Sequence, residues 1–135
     1  MQLLKNGPSE PNELLTIAIV EDDDGIRLAY ADLMSSYGYG VRAFASAEEF
    51  IAANCQSEVE CLILDQRLPG LSGLELQAML KREQCGLPII FVTSHDDDVT
   101  RAKAFENGAL HFLNKPIDAD ELVRCVAEVP GTGRQ

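Results

Sequence analysis

Three short, almost uninterrupted strings of apolar residues constrain the fold of this chain of 135 residues more than any other feature. They occupy residues 15–20, 61–64 and 89–92. An apolar string of this length, without alternating polar residues, is typical of a strand that is buried on both faces. Two weaker apolar runs complete a set of five predicted strands, at residues 15–20, 40–44, 61–64, 88–93 and 109–113.

Helical patterns occupy the segments between these strands. Asp23 or Asp24 is positioned to cap the first helix, which is predicted to end at Gly38. The apolar face of this helix is predicted to consist of Ile26, Ala29, Tyr30, Leu33 and Tyr37. The spacing of a capping box, in which a side chain and a later carboxylate satisfy free N–H groups, occurs at Ser46 with Glu49, Ser72 with Glu75 and Asp118 with Glu121.

A fourth helix is predicted over residues 97–106, followed by a last helix before the carboxyl terminus. The apolar stripe of the fourth helix is the weakest and consists of Val99, Ala102 and Phe105. The acidic residues at 96–98 are interpreted as a solvated cap.

Strand and helix thus alternate five times along the chain. Strict alternation with buried strands implies a parallel sheet that is covered by helices on both faces and joined by right-handed crossovers, the doubly wound α/β class. We expect one folded unit over residues 14–129, between a flexible amino-terminal arm at 1–13 and a carboxyl-terminal tail at 130–135 that are rich in Pro, Gly and polar residues.

The composition excludes several classes of protein. With 22 acidic and 11 basic residues the net charge is -11, so the chain repels nucleic acid and anionic membrane surfaces. Its apolar runs are far shorter than the roughly 20 residues that span a bilayer. The first 15 residues lack the apolar stretch of a signal peptide, so we expect a cytoplasmic protein. The 4 cysteines form no C-x-x-C pair and are predicted to be free thiols.

Polar side chains follow four of the predicted strands where those strands end. Glu21 and Asp22 follow the first strand, Asp65 follows the third, Thr93 ends the fourth, and Lys115 follows the fifth. Ligand sites in open α/β sheets form where the carboxyl ends of strands meet the following loops. Carboxylates that are held together repel each other unless a cation is present, and a set of oxygen ligands that retains water suits Mg²⁺. The sequence therefore predicts a magnesium site at this edge.

The same residue types indicate chemistry at phosphorus. A carboxylate such as Asp65 acts as a nucleophile towards phosphorus, and forms an acyl phosphate, when a metal and cationic groups neutralise the transferring group. Lys115 and the Thr93 hydroxyl are the candidates for contacts to the phosphoryl oxygens, and Glu21 and Asp22 are the candidates for holding the metal.

Four sequence strings, taken together, resemble the receiver domain of two-component response regulators. They are IVEDD at residues 19–23, LDQRLPGLSGLEL at 64–76, FVTS at 91–94 and FLNKP at 112–116. Their order and separations make the set specific over about 115 residues, although each string alone is weak. The middle string and the Thr93 region are most similar to receivers of nitrogen-fixation and nodulation regulators. The resemblance implies a flavodoxin-like sheet of five parallel strands in the order 2-1-3-4-5, with five helices.

The resemblance also implies roles at the metal. Asp65 would be the phosphoacceptor, Asp22 a direct Mg²⁺ ligand, and Glu21 a ligand that acts through water. Arg67 would lend its backbone carbonyl to the metal. Two of these positions depart from the commoner family pattern, because Glu21 replaces an Asp and Arg67 places a long cation beside the phosphoryl site.

Further roles are implied for the switch. Thr93 and Lys115 would bind the phosphoryl oxygens, and Phe112 would be the aromatic residue whose rotamer reports the switch. Phe112 lacks the hydroxyl of the commoner Tyr. The bond between Lys115 and Pro116 would be cis, which fixes the loop.

Particular residues argue against three rival functions. A calcium-binding loop that begins at Val20 lacks the required Asp at its first position and has Ala31 at its twelfth. A haloacid-dehalogenase-type phosphatase needs a second Asp two residues after its nucleophile, where this chain has Arg67. The flavin phosphate of a flavodoxin would be repelled by the acidic residues 21–24.

We therefore expect a phosphorylation-switched receiver rather than an enzyme, active only in its own phosphorylation and dephosphorylation. A sensor histidine kinase or phosphotransfer protein would donate the phosphoryl group, and an output partner or a missing effector domain would read the changed surface. The fourth helix and fifth strand are expected to repack, and they are also a candidate homodimer surface. Two alternatives stay open: a pseudo-receiver that binds proteins independently of phosphorylation, and a stand-alone receiver rather than part of a longer regulator.

Overall fold

The computed structural model describes residues 15–94 and 96–130. The predicted arm at 1–13, most of the predicted tail and His95 lie outside the described residues. The strands are β1 (Thr16–Val20), β2 (Gly40–Phe44), β3 (Cys61–Asp65), β4 (Ile89–Thr93) and β5 (His111–Asn114). The helices are α1 (Asp24–Ser36), α2 (Ala47–Ala53), α3 (Gly73–Arg82), α4 (Asp98–Glu106) and α5 (Ala119–Ala127), with a short 3-10 turn at Gln56–Glu58.

The five strands form one parallel sheet in the order β2-β1-β3-β4-β5. In the register of this sheet, Val20 at the end of β1 lies between Phe44 of β2 and Leu64 of β3. The predicted flavodoxin-like fold and strand order are confirmed. The chain runs from β1 outwards in one direction and then back past β1 to β3, so the carboxyl ends of β1 and β3 form the crevice in which such folds bind ligands.

Helices cover both faces of the sheet, as expected for strands that are apolar throughout. Alternate residues of a strand point to opposite faces, so Ile17 and Ile19 belong to one hydrophobic cluster while Ala18 and Val20 belong to the other. Helices α1 and α5 pack on the first face and helices α2, α3 and α4 on the second. Every residue of β3 and β4 is buried.

Side-chain caps begin each helix and thereby fix where the loops at the carboxyl edge of the sheet end. Asp23, rather than Asp24, caps α1 and accepts the Ile26 N–H at 2.9 Å. Ser72 and Glu75 form the complete, reciprocal capping box at α3. At α2 the pattern differs, because the Glu49 carboxylate accepts the N–H of Ala45 instead of that of the cap residue Ser46.

The apolar face of α1 differs from the one that the spacing predicts. Met34 is fully buried, whereas Ala29 and Tyr37 are exposed. Tyr37 is the residue that follows the last turn of α1, and Gly38 comes next with a φ of 91°. Because the helix has ended at this point, the Tyr37 side chain no longer faces the sheet.

The predicted stripe of α4 is wrong. Val99 and Phe105 are 66% and 44% exposed, Ala102 is exposed, and the buried residue is Ala104. Ala104 faces α3, where the buried amide of Gln77 donates a hydrogen bond to the Ala104 carbonyl at 2.9 Å. Ala104 thus supplies the buried contact of α4, and the larger apolar residues Val99 and Phe105 lie on the more exposed side of this helix.

The four cysteines are free thiols, and all except Cys85 are buried. Within residues 15–94 and 96–130, no helix has the length and apolar character needed to cross a membrane.

Candidate metal centre

Three carboxylates converge at the carboxyl edge of the sheet. Glu21, Asp22 and Asp65 each offer an oxygen atom, and these oxygens lie within 4.8 Å of one another. Glu21 directly follows β1 and Asp65 is the last residue of β3, so the pairing of these two strands brings them together. Glu21 and Asp65 are only 1% and 3% exposed, whereas Asp22 is open to solvent. A cation that enters from solvent would meet Asp22 first.

One ammonium group lies among these carboxylates. Lys115 Nζ lies 2.7 Å from Glu21 Oε1 and 3.1 Å from Asp65 Oδ2. Lys115 directly follows β5, its backbone N–H donates to the Thr93 carbonyl at 2.7 Å, and its bond to Pro116 is cis. The side chain therefore reaches from the far edge of the sheet to its centre and partly neutralises the cluster.

Burial and charge act against each other in this cluster. Burial raises the pKa of the Glu21 carboxyl, and the hydrogen bonds from Lys115 and the Asp23 N–H offset this only in part. Burial alone would lower the pKa of Lys115, but its hydrogen bonds to Glu21 and Asp65, together with the negative charges of these two carboxylates, outweigh burial and raise that pKa. The ammonium is consequently held in its charged form beside two carboxylates.

Backbone contacts orient the candidate ligands. The Asp23 N–H donates to Glu21 Oε2 at 3.1 Å, and the Arg27 guanidinium donates to the Glu21 carbonyl at 2.8 Å. The Arg67 N–H donates to Asp65 Oδ1 at 3.2 Å. The candidate ligands are all oxygen atoms, and the three carboxylates exceed the Lys115 ammonium in charge, which fits a hard divalent cation such as Mg²⁺. The Arg67 side chain is exposed.

Thr93 lies beside the cluster at the end of β4. Thr93 comes one residue after Val92, and Val92 pairs with Asp65 of β3. Thr93 itself pairs with Asn114 of β5, the residue before Lys115. The residue is fully buried. The predicted site residues of β1, β3, β4 and β5 thus share one edge.

Phe112 lies within β5, two residues before the end of that strand at this edge. It is 6% exposed, and its ring centroid lies 5.9 Å from that of Phe91 and 6.5 Å from that of Phe105. The Arg101 guanidinium of α4 sits over the ring, 4.9 Å from its centroid. A cation in this position attracts the electron-rich face of the ring.

The sequence patterns missed the residue that holds Arg101 in place. Asp96, interpreted above as a solvated cap, accepts a hydrogen bond from Arg101 at 2.6 Å and another from the Asn114 amide at 3.1 Å. The cap of α4 is Asp97, whose side chain accepts the Thr100 N–H at 2.8 Å. No helical spacing rule relates Asp96 to Arg101, since Asp96 precedes the helix, and only the fold reveals the contact.

Comparison with known proteins agrees with this geometry. The family model for the response regulator receiver domain matches residues 17–127. Nodulation protein W of Bradyrhizobium diazoefficiens is 39% identical over 122 residues, which cover 90% of this chain and 54% of that protein. Response regulator protein TodT of Pseudomonas putida is 38% identical over 82% of this chain and 48% of its own length. The chain therefore spans about half the length of these curated relatives.

Solved structures show the same fold. A low-resolution structure of the response regulator StyR superposes with a TM-score of 0.79 at 35% identity, covering 84% of this chain and 58% of that one. A crystal structure of FixJ-N gives 0.74 at 30% identity, covering 83% of this chain and 90% of that one. Relatives named Nodulation protein W and Transcriptional regulatory protein FixJ confirm the resemblance inferred from the sequence strings. The chain belongs to the response regulator receiver domain family.

Proposed function

We propose that this receiver accepts a phosphoryl group on Asp65, from a phosphohistidine of a sensor histidine kinase or a phosphotransfer protein, in the presence of Mg²⁺. The observation that carries the proposal is the placement of Lys115 between Glu21 and Asp65, which joins three strand ends around one carboxylate. Asp65 ends a buried strand, so its backbone is fixed, while its carboxylate accepts hydrogen bonds from Lys115 and from the Arg67 N–H at the carboxyl edge of the sheet.

Four groups would hold the metal: the carboxylates of Glu21, Asp22 and Asp65, and the backbone carbonyl of Arg67. When bound, Mg²⁺ supplies positive charge that offsets the charge on the transferring phosphoryl oxygens. Asp22 is the open ligand, and Glu21 is anchored by Lys115 and by the Asp23 N–H, so Glu21 suits contact through water.

The transfer forms one bond and breaks one. A carboxylate oxygen of Asp65 bonds to phosphorus, the bond from phosphorus to the donor's imidazole nitrogen breaks, and that nitrogen keeps the electron pair and gains a proton. Lys115 then exchanges its contact with Asp65 for a phosphoryl oxygen, and the Thr93 hydroxyl is drawn towards another. The acyl phosphate carries up to about two negative charges where the free Asp65 carboxylate carried one, so this edge gains about one negative charge.

The added charge would be read through β4, β5 and α4. Thr93 begins the loop that contains Asp96, and Asp96 holds Arg101 over Phe112. Movement of Thr93 towards the phosphoryl group would displace this loop, release Arg101 and free the Phe112 ring to change rotamer. Helix α4 and strand β5 would then present a different surface to an output partner, to an effector domain or to a second copy of the chain.

The alternative of a pseudo-receiver that binds partners independently of phosphorylation gains no specific support. The acceptor carboxylate, its metal-binding neighbours, the ammonium and the hydroxyl all lie at one edge. A module freed from phosphorylation would have no need to keep so many buried polar groups together, because such burial costs stability.

Incubation with acetyl phosphate separates the two functions. In the presence of Mg²⁺ the proposal expects an acid-stable, base-labile acyl phosphate that forms on the protein and is lost on standing. The same incubation with EDTA should give almost none. No labelling in either incubation would support the pseudo-receiver instead, and equal labelling with and without the metal would contradict the role proposed for Mg²⁺.

A further inference from the structure

A carboxylate outside the acidic cluster holds the loop that follows Asp65. Glu48 lies in the first turn of α2, and its Oε2 accepts the backbone N–H of Leu71 at 2.8 Å. The two residues are 23 positions apart in the chain. Glu48 belongs to the helix that follows β2, and Leu71 belongs to the loop between β3 and α3. The contact therefore joins the first turn of α2 to the loop between β3 and α3, which begins at the metal centre.

Gly70 shapes the loop to receive this carboxylate. Its φ of +78° lies in the left-handed region, and a Cβ atom at this position would collide with the carboxylate of Glu48. A residue with a side chain would be strained by its backbone and would also expel Glu48. The absence of a side chain at Gly70 thus leaves room for the Glu48 carboxylate beside the loop.

The same loop carries the groups that face the metal centre. The Arg67 N–H orients Asp65 through Oδ1, and the loop ends where the Leu74 N–H donates to Gln66 Oε1 at 2.8 Å. Between these two contacts, the Leu71 N–H donates to Glu48, which lies outside the loop. Displacement of the middle of the loop would shift the Arg67 backbone and the orientation of the Asp65 carboxylate together.

We propose that Glu48 is a positioning residue for the metal centre: it fixes the loop between β3 and α3 so that the Arg67 carbonyl and the Asp65 carboxylate keep the geometry that Mg²⁺ requires. This rests on the proposed metal site. Mg²⁺ demands near-ideal octahedral geometry, so a small displacement of one ligand lowers its affinity. Glu48 contributes through the backbone and does not itself reach the metal.

Three variants of the full chain test this role. Glu48→Ala removes the acceptor, and Glu48→Gln keeps an oxygen that accepts the Leu71 N–H while it removes the charge. Glu49→Ala is the matched control, because Glu49 is the next residue of the same helix, carries the same charge, and uses its carboxylate to accept the N–H of Ala45, just before the helix, rather than an N–H of the loop after β3. Two quantities are measured for each: hydrogen exchange of the Leu71 amide, and Mg²⁺ affinity by calorimetric titration of the unphosphorylated protein.

Glu48→Ala is expected to speed exchange of the Leu71 amide and to lower Mg²⁺ affinity by about tenfold, the lower end of what loss of an outer-shell partner costs. Glu48→Gln and Glu49→Ala are expected to stay close to wild type in both measurements. If Glu48→Ala frees the Leu71 amide but leaves Mg²⁺ affinity unchanged, the contact is structural only and the positioning role is overturned. Loss of affinity in Glu48→Gln and Glu49→Ala as well would instead indicate net charge as the cause and would also overturn it.

Failure of the proposed function would give a different result from failure of the positioning role of Glu48. A wild-type protein that binds no Mg²⁺ would remove the metal centre itself and the positioning role with it. The exchange of Leu71 in the three variants would still show whether Glu48 holds the loop.

Discussion

The ammonium of Lys115 lies 2.7 Å from a carboxylate oxygen of Glu21, a residue 94 positions earlier in the chain. Its distance to Asp65 is longer, at 3.1 Å. The lysine is therefore anchored more closely on Glu21 than on Asp65, the proposed phosphoacceptor. Under the proposed function, Lys115 would leave Asp65 for a phosphoryl oxygen while its contact with Glu21 persists.

The first prediction follows from the competition between Lys115 and a metal for the same carboxylates. Lys115→Met should lower the free energy of unfolding without Mg²⁺ by up to about 3 kcal/mol, because buried carboxylates lose their cation. Mg²⁺ should restore most of this loss and bind more tightly than in wild type. Urea unfolding with and without Mg²⁺ measures both effects, and a variant that Mg²⁺ does not rescue would show that the metal does not share the carboxylates with the lysine.

The second prediction concerns the open ligand. Asp22→Ala should weaken Mg²⁺ binding by at least about tenfold, or about 1.4 kcal/mol, because it removes a direct ligand. Asp32→Ala removes the same charge from an exposed position of α1 and serves as the control. Calorimetric titration of both variants decides the assignment, and equal affinities in the two would refute a direct role for Asp22.

The third prediction concerns Arg67, two residues beyond the acceptor. We expect the guanidinium, which follows the proposed acceptor by two residues, to pair with the phosphoryl oxygens and to obstruct water that attacks in line with phosphorus, so it should prolong the life of the acyl phosphate. Arg67→Ala should therefore lose its phosphoryl group faster than wild type when both are followed with Mg²⁺ present. A slower variant would mean that Arg67 stabilises the hydrolytic transition state, as arginine fingers do.

The fourth prediction concerns the pH dependence of the contact between Asp96 and Arg101. Hydrogen bonds from Arg101 and Asn114 hold the pKa of Asp96 below its ordinary value of 3.8. Because that pKa is depressed in the folded state, the stabilisation is present above 3.8 and is lost as the pH falls through the lowered folded value. Arg101→Ala should raise the Asp96 pKa, measured from its carboxyl carbon resonance.

The same variant also tests the contact with Phe112. Loss of the cation over the ring should cost about 0.5 to 1 kcal/mol and should broaden or shift the Phe112 ring resonances. Phe112 resonances that stay unchanged in Arg101→Ala would show that the guanidinium does not hold the ring. Lys103→Ala, an exposed cation on the same helix, is the control for charge.

The parts of the structure that the sequence predicted are those governed by short-range patterns. The apolar strings located the buried strands within one or two residues, and the capping residues Asp23 and Ser72 mark where α1 and α3 begin. Glu21, Asp65 and Lys115 were predicted to meet because strand ends converge in a parallel sheet, a rule that needs no side-chain detail.

The features that the sequence did not predict depend on how elements pack. Ala104 is the buried residue of α4 and lies where this helix contacts Gln77 of α3. Periodicity within α4 contains no information about α3. The contacts of Glu48 with Leu71 and of Asp96 with Arg101 join residues with no regular spacing, so no pattern in the chain marks them. Position in the fold, not residue type, distinguishes these groups from ordinary surface charges.

The central claim is that Asp65 is the phosphoacceptor, and intact-mass spectrometry after incubation with acetyl phosphate and Mg²⁺ tests it most directly. The account predicts one added phosphoryl group on wild type, lost on mild alkaline treatment, and none on Asp65→Asn, which keeps the size of the side chain but lacks the nucleophile. Asp32→Asn, an exposed position on α1, should be labelled like wild type. Labelling of Asp65→Asn at the wild-type rate would contradict the account.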